Sequence, residues 1–91
     1  MPKVTLFQDA NFGGKYLTLQ QAASNLKNQN FNDMTTAVLV CSGNWRLFQN
    51  ADFGGMFWDV KENGGPNGDG LYPNSSSWGG KNDSISSVMP L

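Results

Sequence analysis

Histidine is absent from this chain, and cysteine occurs once, at Cys41. Without histidine there is no Ser-His triad, no imidazole general base and little scope for the usual zinc centres. A single cysteine forms no internal disulfide. Set in the apolar run AVLVC, it is expected to be buried filler rather than a reactive thiol. Charge is scarce as well: 14% of residues carry it and the net value is −1. The six basic side chains, Lys3, Lys15, Lys27, Arg46, Lys61 and Lys81, are scattered along the chain. With no basic patch, a nucleic-acid partner is not expected. No apolar run approaches the length of a membrane span, so no membrane partner is expected either. The opening MPKVTLFQD lacks the apolar core of a signal peptide, and the compartment is left open.

Glycine and aromatics are what the chain does hold. Eleven glycines and three tryptophans lie among 91 residues, 38% of them hydrophobic. Low charge with many aromatics argues against disorder. The composition suits a compact, loop-rich β domain spanning residues 1–91, and a monomer is expected.

Two windows repeat at an offset of 41 residues. Val4–Leu19 reads VTLFQDANFGGKYLTL and Trp45–Val60 reads WRLFQNADFGGMFWDV, with seven identities in sixteen positions. A second pair repeats at an offset of 50: FNDMTTAV at Phe31–Val38 and KNDSISSV at Lys81–Val88. The chain thus divides into two similar units, about 1–41 and 42–91. The second unit is longer by about nine residues within KENGGPNGDGLYPNSSSWGGK, whose Gly, Pro, Asn and Ser content reads as a long loop. The tight SGN connection at Ser42–Asn44 implies that the units share one core.

Period-2 alternation marks VTLF, KYLTL, TAVLV, WRLF, MFWDV and SISSVM as short strands. Gln20–Asn28 is the one plausible helical turn. Short strands with glycine-rich turns, in two matching sets, predict an all-β sandwich of two Greek-key motifs. In each first window two aromatics stand five residues apart, Phe7 with Phe12 and Phe48 with Phe53. On a regular strand they would face opposite ways, so a tight fold is needed to stack them. Gly14 and Gly55, two residues after the second aromatic, allow positive φ there at low steric cost.

The aromatic-glycine corner, present twice and followed each time by an (Asn/Asp)-(Asn/Asp)-x-x-(Ser/Thr)-Ser element, resembles the βγ-crystallin family over nearly the whole chain. The resemblance implies a β-sandwich of two intercalated Greek keys. It also implies two calcium ions, bound in sites that exchange ligands between the repeats. In that pattern Asp33 and Asp83 give side-chain oxygens and Met34 and Ser84 give main-chain carbonyls. Thr36 and Ser86 give hydroxyls, and Gln8 and Gln49 give further carbonyls from the first loop of each unit. Asn32 and Asn82 brace the loops. The pattern leaves open which residues share an ion. The second motif fits in full; the first ends in Ala37 where the pattern has Ser. Calcium takes six to eight hard oxygens, and a set with about one carboxylate per site predicts dissociation constants of roughly micromolar to sub-millimolar. Magnesium, which demands rigid octahedral geometry, fits less well.

The same residues admit other readings. Asx and Ser/Thr turns would explain one polar motif alone, without metal. NGGPNGDG at Asn63–Gly70 matches no calcium loop and reads as a mobile surface loop. Asp59, Glu62 and Asp69 offer carboxylates without a fixed spacing, so no enzyme is expected. Trp45 and Trp58 lie in strand patterns and are expected in the core. Trp78, between Ser77 and Gly79, is expected to be more exposed and is the better candidate for a partner contact. It supports the alternative of a binding module, inhibitor- or toxin-like, whose long Gly/Ser-rich loop at Leu71–Gly80 recognises a carbohydrate or protein. The leading expectation is a calcium-stabilised domain with a structural, stress or calcium-buffering role.

Overall fold

Each aromatic-glycine window folds as a β-hairpin. In the computed structural model, which describes residues 2–80 and 84–91, β1 (Lys3–Asp9) pairs antiparallel with β2 (Gly13–Leu19). Likewise β4 (Asn44–Asn50) pairs with β5 (Gly54–Lys61). Both hairpins turn through a short 3₁₀ segment, Ala10–Phe12 and Ala51–Phe53. The rings stack as the spacing requires: Phe7 on Phe12 at 5.4 Å and Phe48 on Phe53 at 5.5 Å, both edge to face. Gly14 and Gly55 take φ of 71° and 75°. Asn11, Phe12, Asp52 and Phe53 are also left-handed. A phenylalanine there is costly. The ring pairs offset that cost, as do two tertiary bonds: Asn11 N–H to Pro73 O and Asp52 N–H to Ser24 O, each 2.7 Å.

Two antiparallel sheets result. One has the order β2-β1-β3-β6, with β3 at Ala37–Ser42 and β6 at Leu71–Tyr72; the other is β5-β4-β7, with β7 at Ser87–Pro90. The repeats are intercalated. β6 belongs to the second repeat yet pairs with β3 of the first, and Ala23 of the first repeat bridges Val88 of the second. This is an all-β, two-sheet Greek-key sandwich. The six strands read from the sequence are present, with SISSVM shortened to β7. β6 and the helical turn α1 (Ser75–Trp78) were hidden in the long loop. No helix among the described residues is long and apolar enough to cross a membrane.

Within Gln20–Asn28 the expected helical turn is confined to the end of the segment. Ala23 exchanges both main-chain bonds with Val88, at 2.9 and 3.0 Å, and the 3₁₀ turn begins only at Leu26. Tertiary pairing overrides the weak local propensity. The core draws on both repeats: Val4, Leu6, Leu26, Phe31, Val38, Trp45, Leu47, Val60, Ile85 and Val88 are buried within one cluster. Each such large apolar side chain contributes about 1.5–3 kcal/mol relative to exposure. Trp45 is fully enclosed and Trp58 packs partly buried against the cluster.

Two expectations about single residues are corrected. Cys41 is exposed. Beyond the buried Ala37, β3 buries Val38 and Val40, and the strand's alternation sends Leu39 and Cys41 to the other face. Trp78 is 5% exposed and lies in the core cluster, edge to face with Trp58 at 5.6 Å. An Asn74 capping box starts its helical turn and Gly79, at φ 87°, ends it, turning the indole inward. The long loop is also more ordered in its bonding than a plain surface loop. Gly64, Gly68 and Gly70 donate to Lys61, Gly65 and Gly64 carbonyls, and Lys61 N–H donates to the Tyr72 hydroxyl.

Thr35 carries a separate prediction. It is fully buried, and its hydroxyl has no hydrogen-bond partner among the described residues. The matching position in the second repeat is Ile85, also fully buried. An unpaired buried hydroxyl costs about 1–3 kcal/mol. Thr35→Val keeps the shape and removes the hydroxyl, so we expect it to raise the urea midpoint by an amount equivalent to about 1 kcal/mol or more.

Candidate metal centre

The two polar motifs enter β3 and β7, and the intercalation of the repeats carries them to each other. Asp33, in the first motif, adopts φ 54°, a region that Asp tolerates through local polar contacts. Its N–H donates to Ile85 O at 2.9 Å, across to the second motif. The Ser86 hydroxyl lies 3.2 Å from Asp33 Oδ1 and donates to it. That is long for an O–H···O bond, so the two oxygens are close without being tightly engaged. Asn32 Nδ2 holds the other carboxylate oxygen, Oδ2, at 3.1 Å, the bracing role expected of it. Asp33 is exposed while Ser86 is nearly buried, so the pair forms a rim with one wet side.

The hydroxyl residues are set by main-chain bonds to the hairpins. Thr36 N–H donates to Phe7 O at 2.8 Å and Ser86 N–H to Phe48 O at 3.0 Å. Those contacts place Thr36 beside Gln8 and Ser86 beside Gln49. Both glutamines sit where the strand register shifts, between Phe7 and Asp9 and between Phe48 and Asn50. A bulge of this kind leaves its extra residue out of the ladder. Each glutamine side chain is turned back into its own hairpin: Gln8 Oε1 accepts from Lys15 N–H and Gln49 Oε1 from Met56 N–H. Met34 packs its side chain against the core, so its main chain is what it presents to the loop. Ser84 is half-buried at the start of the second motif. Asn82 and Asp83 lie outside the described residues.

Of the predicted set, the structure thus brings Asp33, Ser86 and the Gln49 bulge into one neighbourhood, and Thr36 and the Gln8 bulge into another. The donors are carboxylate, hydroxyl and peptide oxygens, with no nitrogen or sulfur ligand. That chemistry fits a hard cation such as calcium. Among the described residues no three or more carboxylates or cysteines gather to hold a metal.

Two groups that support the site were not read from the sequence. Leu26 N–H donates to Ser86 O at 2.8 Å, and Trp78 Nε1–H donates to Thr36 O at 3.0 Å. No local pattern announces either, although Asn25 and Asn74, which cap the two turns that supply them, are a matching pair in retrospect. Away from the site, Arg46 holds Asp59 in a two-pronged ion pair and lies 4.2 Å over the Phe57 ring. The guanidinium hydrogen bonds keep the Asp59 carboxyl below its ordinary range. This charged pair sits on the outer side of the second hairpin.

Comparison with known proteins agrees with the two-sheet fold. The sequence profile of the Beta/Gamma crystallin family matches residues 3–91. A beta/gamma-crystallin of Ciona intestinalis is 40% identical over 88 residues, covering 97% of this chain and 96% of the relative. A solved beta gamma crystallin structure from the same organism superposes with a TM-score of 0.88 at 38% identity, covering 98% and 99% of the two chains. A betagamma-crystallin from an archaeon superposes at 0.85 with 30% identity over 99% of this chain and 98% of its own.

Proposed function

The chain belongs to the beta/gamma-crystallin family, and from that premise we propose that it is a calcium-binding member whose two motifs build two calcium sites. The observation that carries this reading is the approach of Ser86 Oγ to Asp33 Oδ1, 3.2 Å apart although 53 residues separate them in the chain. Turn chemistry alone explains each motif within its own loop. It gives no reason for the carboxylate of one copy to meet the hydroxyl of the other. A shared oxygen-seeking ion does, and the 3.2 Å span suits two oxygens on one ion of calcium's size.

One site is built on Asp33 and Ser86 beside the Gln49 bulge. The other, by the reciprocity of the repeats, is built on Thr36 beside the Gln8 bulge with Asp83. Met34 and Ser84 add main-chain carbonyls, and water completes each shell. Bound calcium supplies positive charge that ties the two repeats together. The role is structural, stress-related or calcium-buffering, and catalysis forms no part of it. The alternative, a binding module using the long Gly/Ser-rich loop of the second repeat, loses Trp78 as an exposed contact, because that indole is buried.

Calorimetric titration of calcium into chelator-treated protein tests this. Two binding events are expected, with dissociation constants of roughly micromolar to sub-millimolar. Ser86→Ala should abolish one of them and leave the other. Absence of binding heat in the unmodified protein would sink the proposal.

A further inference from the structure

The main chains of the two hydroxyl residues are held alike except for the donor to the carbonyl. Thr36 and Ser86 each donate N–H to the hairpin residue before a bulge, Phe7 and Phe48. Each also has its carbonyl held from behind, by a group from a short helical turn. At Ser86 the donor is the main-chain N–H of Leu26. At Thr36 it is a side chain, the indole N–H of Trp78. A main-chain donor is present whatever the residue, whereas an indole is not. Trp78 is itself fixed: it is nearly buried, packed edge to face on Trp58, and carried between the Asn74 capping box and a left-handed Gly79.

We propose that Trp78 is a positioning residue for the Thr36 calcium site, and that this indole makes one of the two sites tunable through a single side chain. The inference rests on the calcium reading above. The indole N–H and the Phe7 carbonyl pin both polar groups of the Thr36 peptide backbone, and this aims its hydroxyl without touching the ion. Removing the indole donor frees the Thr36 carbonyl and lets the hydroxyl wander, so the Thr36 site pays an ordering cost on binding. The Ser86 site keeps its Leu26 clamp.

The test is Trp78→Phe, which keeps an aromatic ring in the core but has no N–H to donate. In calcium titrations the event lost in Thr36→Ala should weaken about three- to tenfold in Trp78→Phe, the equivalent of one hydrogen bond. The event lost in Ser86→Ala should stay within about twofold. Combining Trp78→Phe with each of those alanine variants assigns the events. Equal weakening of both would mean a general loss of packing and would overturn the proposal. So would no change in either. Two events in the unmodified protein with an unselective Trp78→Phe would refute the positioning role alone, whereas no event in the unmodified protein refutes the calcium reading as well. Should Trp78→Phe not fold, the indole ¹H–¹⁵N resonance of Trp78 in the unmodified protein decides the matter. It should shift with the Thr36 event and stay still through the other, and any other pattern overturns the proposal.

Discussion

Saturating calcium should raise the melting temperature on the order of 20 °C or more above that of the chelated protein. A ligand that binds only the folded chain adds about 2.7 kcal/mol per site at a hundredfold excess over its dissociation constant. Two sites add about 5 kcal/mol, and each kcal/mol moves a domain of this size by about 4–8 °C. The gain is large because total stability is of order 5–15 kcal/mol for a natural domain. Thermal melts in calcium and in chelator, followed by tryptophan fluorescence, provide the check. Asp33→Asn separates the carboxylate from its backbone, since Asn tolerates the same left-handed conformation. That variant should melt in chelator within a few degrees of the unmodified protein and lose about half of the calcium-induced rise. Magnesium at the same concentration should produce a much smaller rise, as it gives up water reluctantly and needs stricter geometry. A melt unaffected by calcium would leave the motifs as turn chemistry.

Gly70→Ala should be strongly destabilising. Gly70 is buried at φ 79°, and a Cβ there would stand 2.6 Å from Val40 O and 2.9 Å from Glu62 O. Both neighbours are main-chain atoms, and Val40 N–H donates to Gly70 O, so the loop cannot simply slide away. The left-handed conformation costs an alanine about 1–2 kcal/mol and the overpacking about 1–3 kcal/mol more, giving about 3 kcal/mol or more together. Gly68→Ala is the internal control. It shares the left-handed φ, at 71°, but its Cβ would meet nothing closer than Asn63 O at 3.6 Å. It should cost only the conformational part, about 1–2 kcal/mol. Urea unfolding of the two variants side by side would isolate the clash from the backbone strain. Equal losses would show that the loop relaxes around Gly70.

These outcomes bear on the same structural point. Gly70 leads into β6, the strand that crosses from the second repeat to the first sheet, and this crossing belongs to the intercalation that brings Asp33 to Ser86. A disturbed crossing should therefore weaken calcium binding as well as folding.

Much of this was legible in the chain itself. Turn residues and alternation act over a few positions, so the two hairpins, the aromatic corners, the Gly14 and Gly55 conformations and the strands β3, β4 and β5 follow from local chemistry. The donor types in NDMTT and NDSIS are equally local, and they restrict an ion to the hard-oxygen class. Tertiary structure alone decided the rest. Ala23 gave up its helical turn to bridge Val88, and Leu71–Tyr72 became a strand only because β3 offered an edge. Cys41 faces outward because its strand's buried face was taken by Val38 and Val40. Trp78 faces inward because Trp58 and the Thr36 carbonyl await it. The pairing of Asp33 with Ser86 and the two different clamps on Thr36 and Ser86 belong to this second class. The physical reason is range: a sequence window encodes propensity and donor type within a few residues, whereas strand exchange between repeats is decided by which long-range edges and cavities the folded halves present to each other.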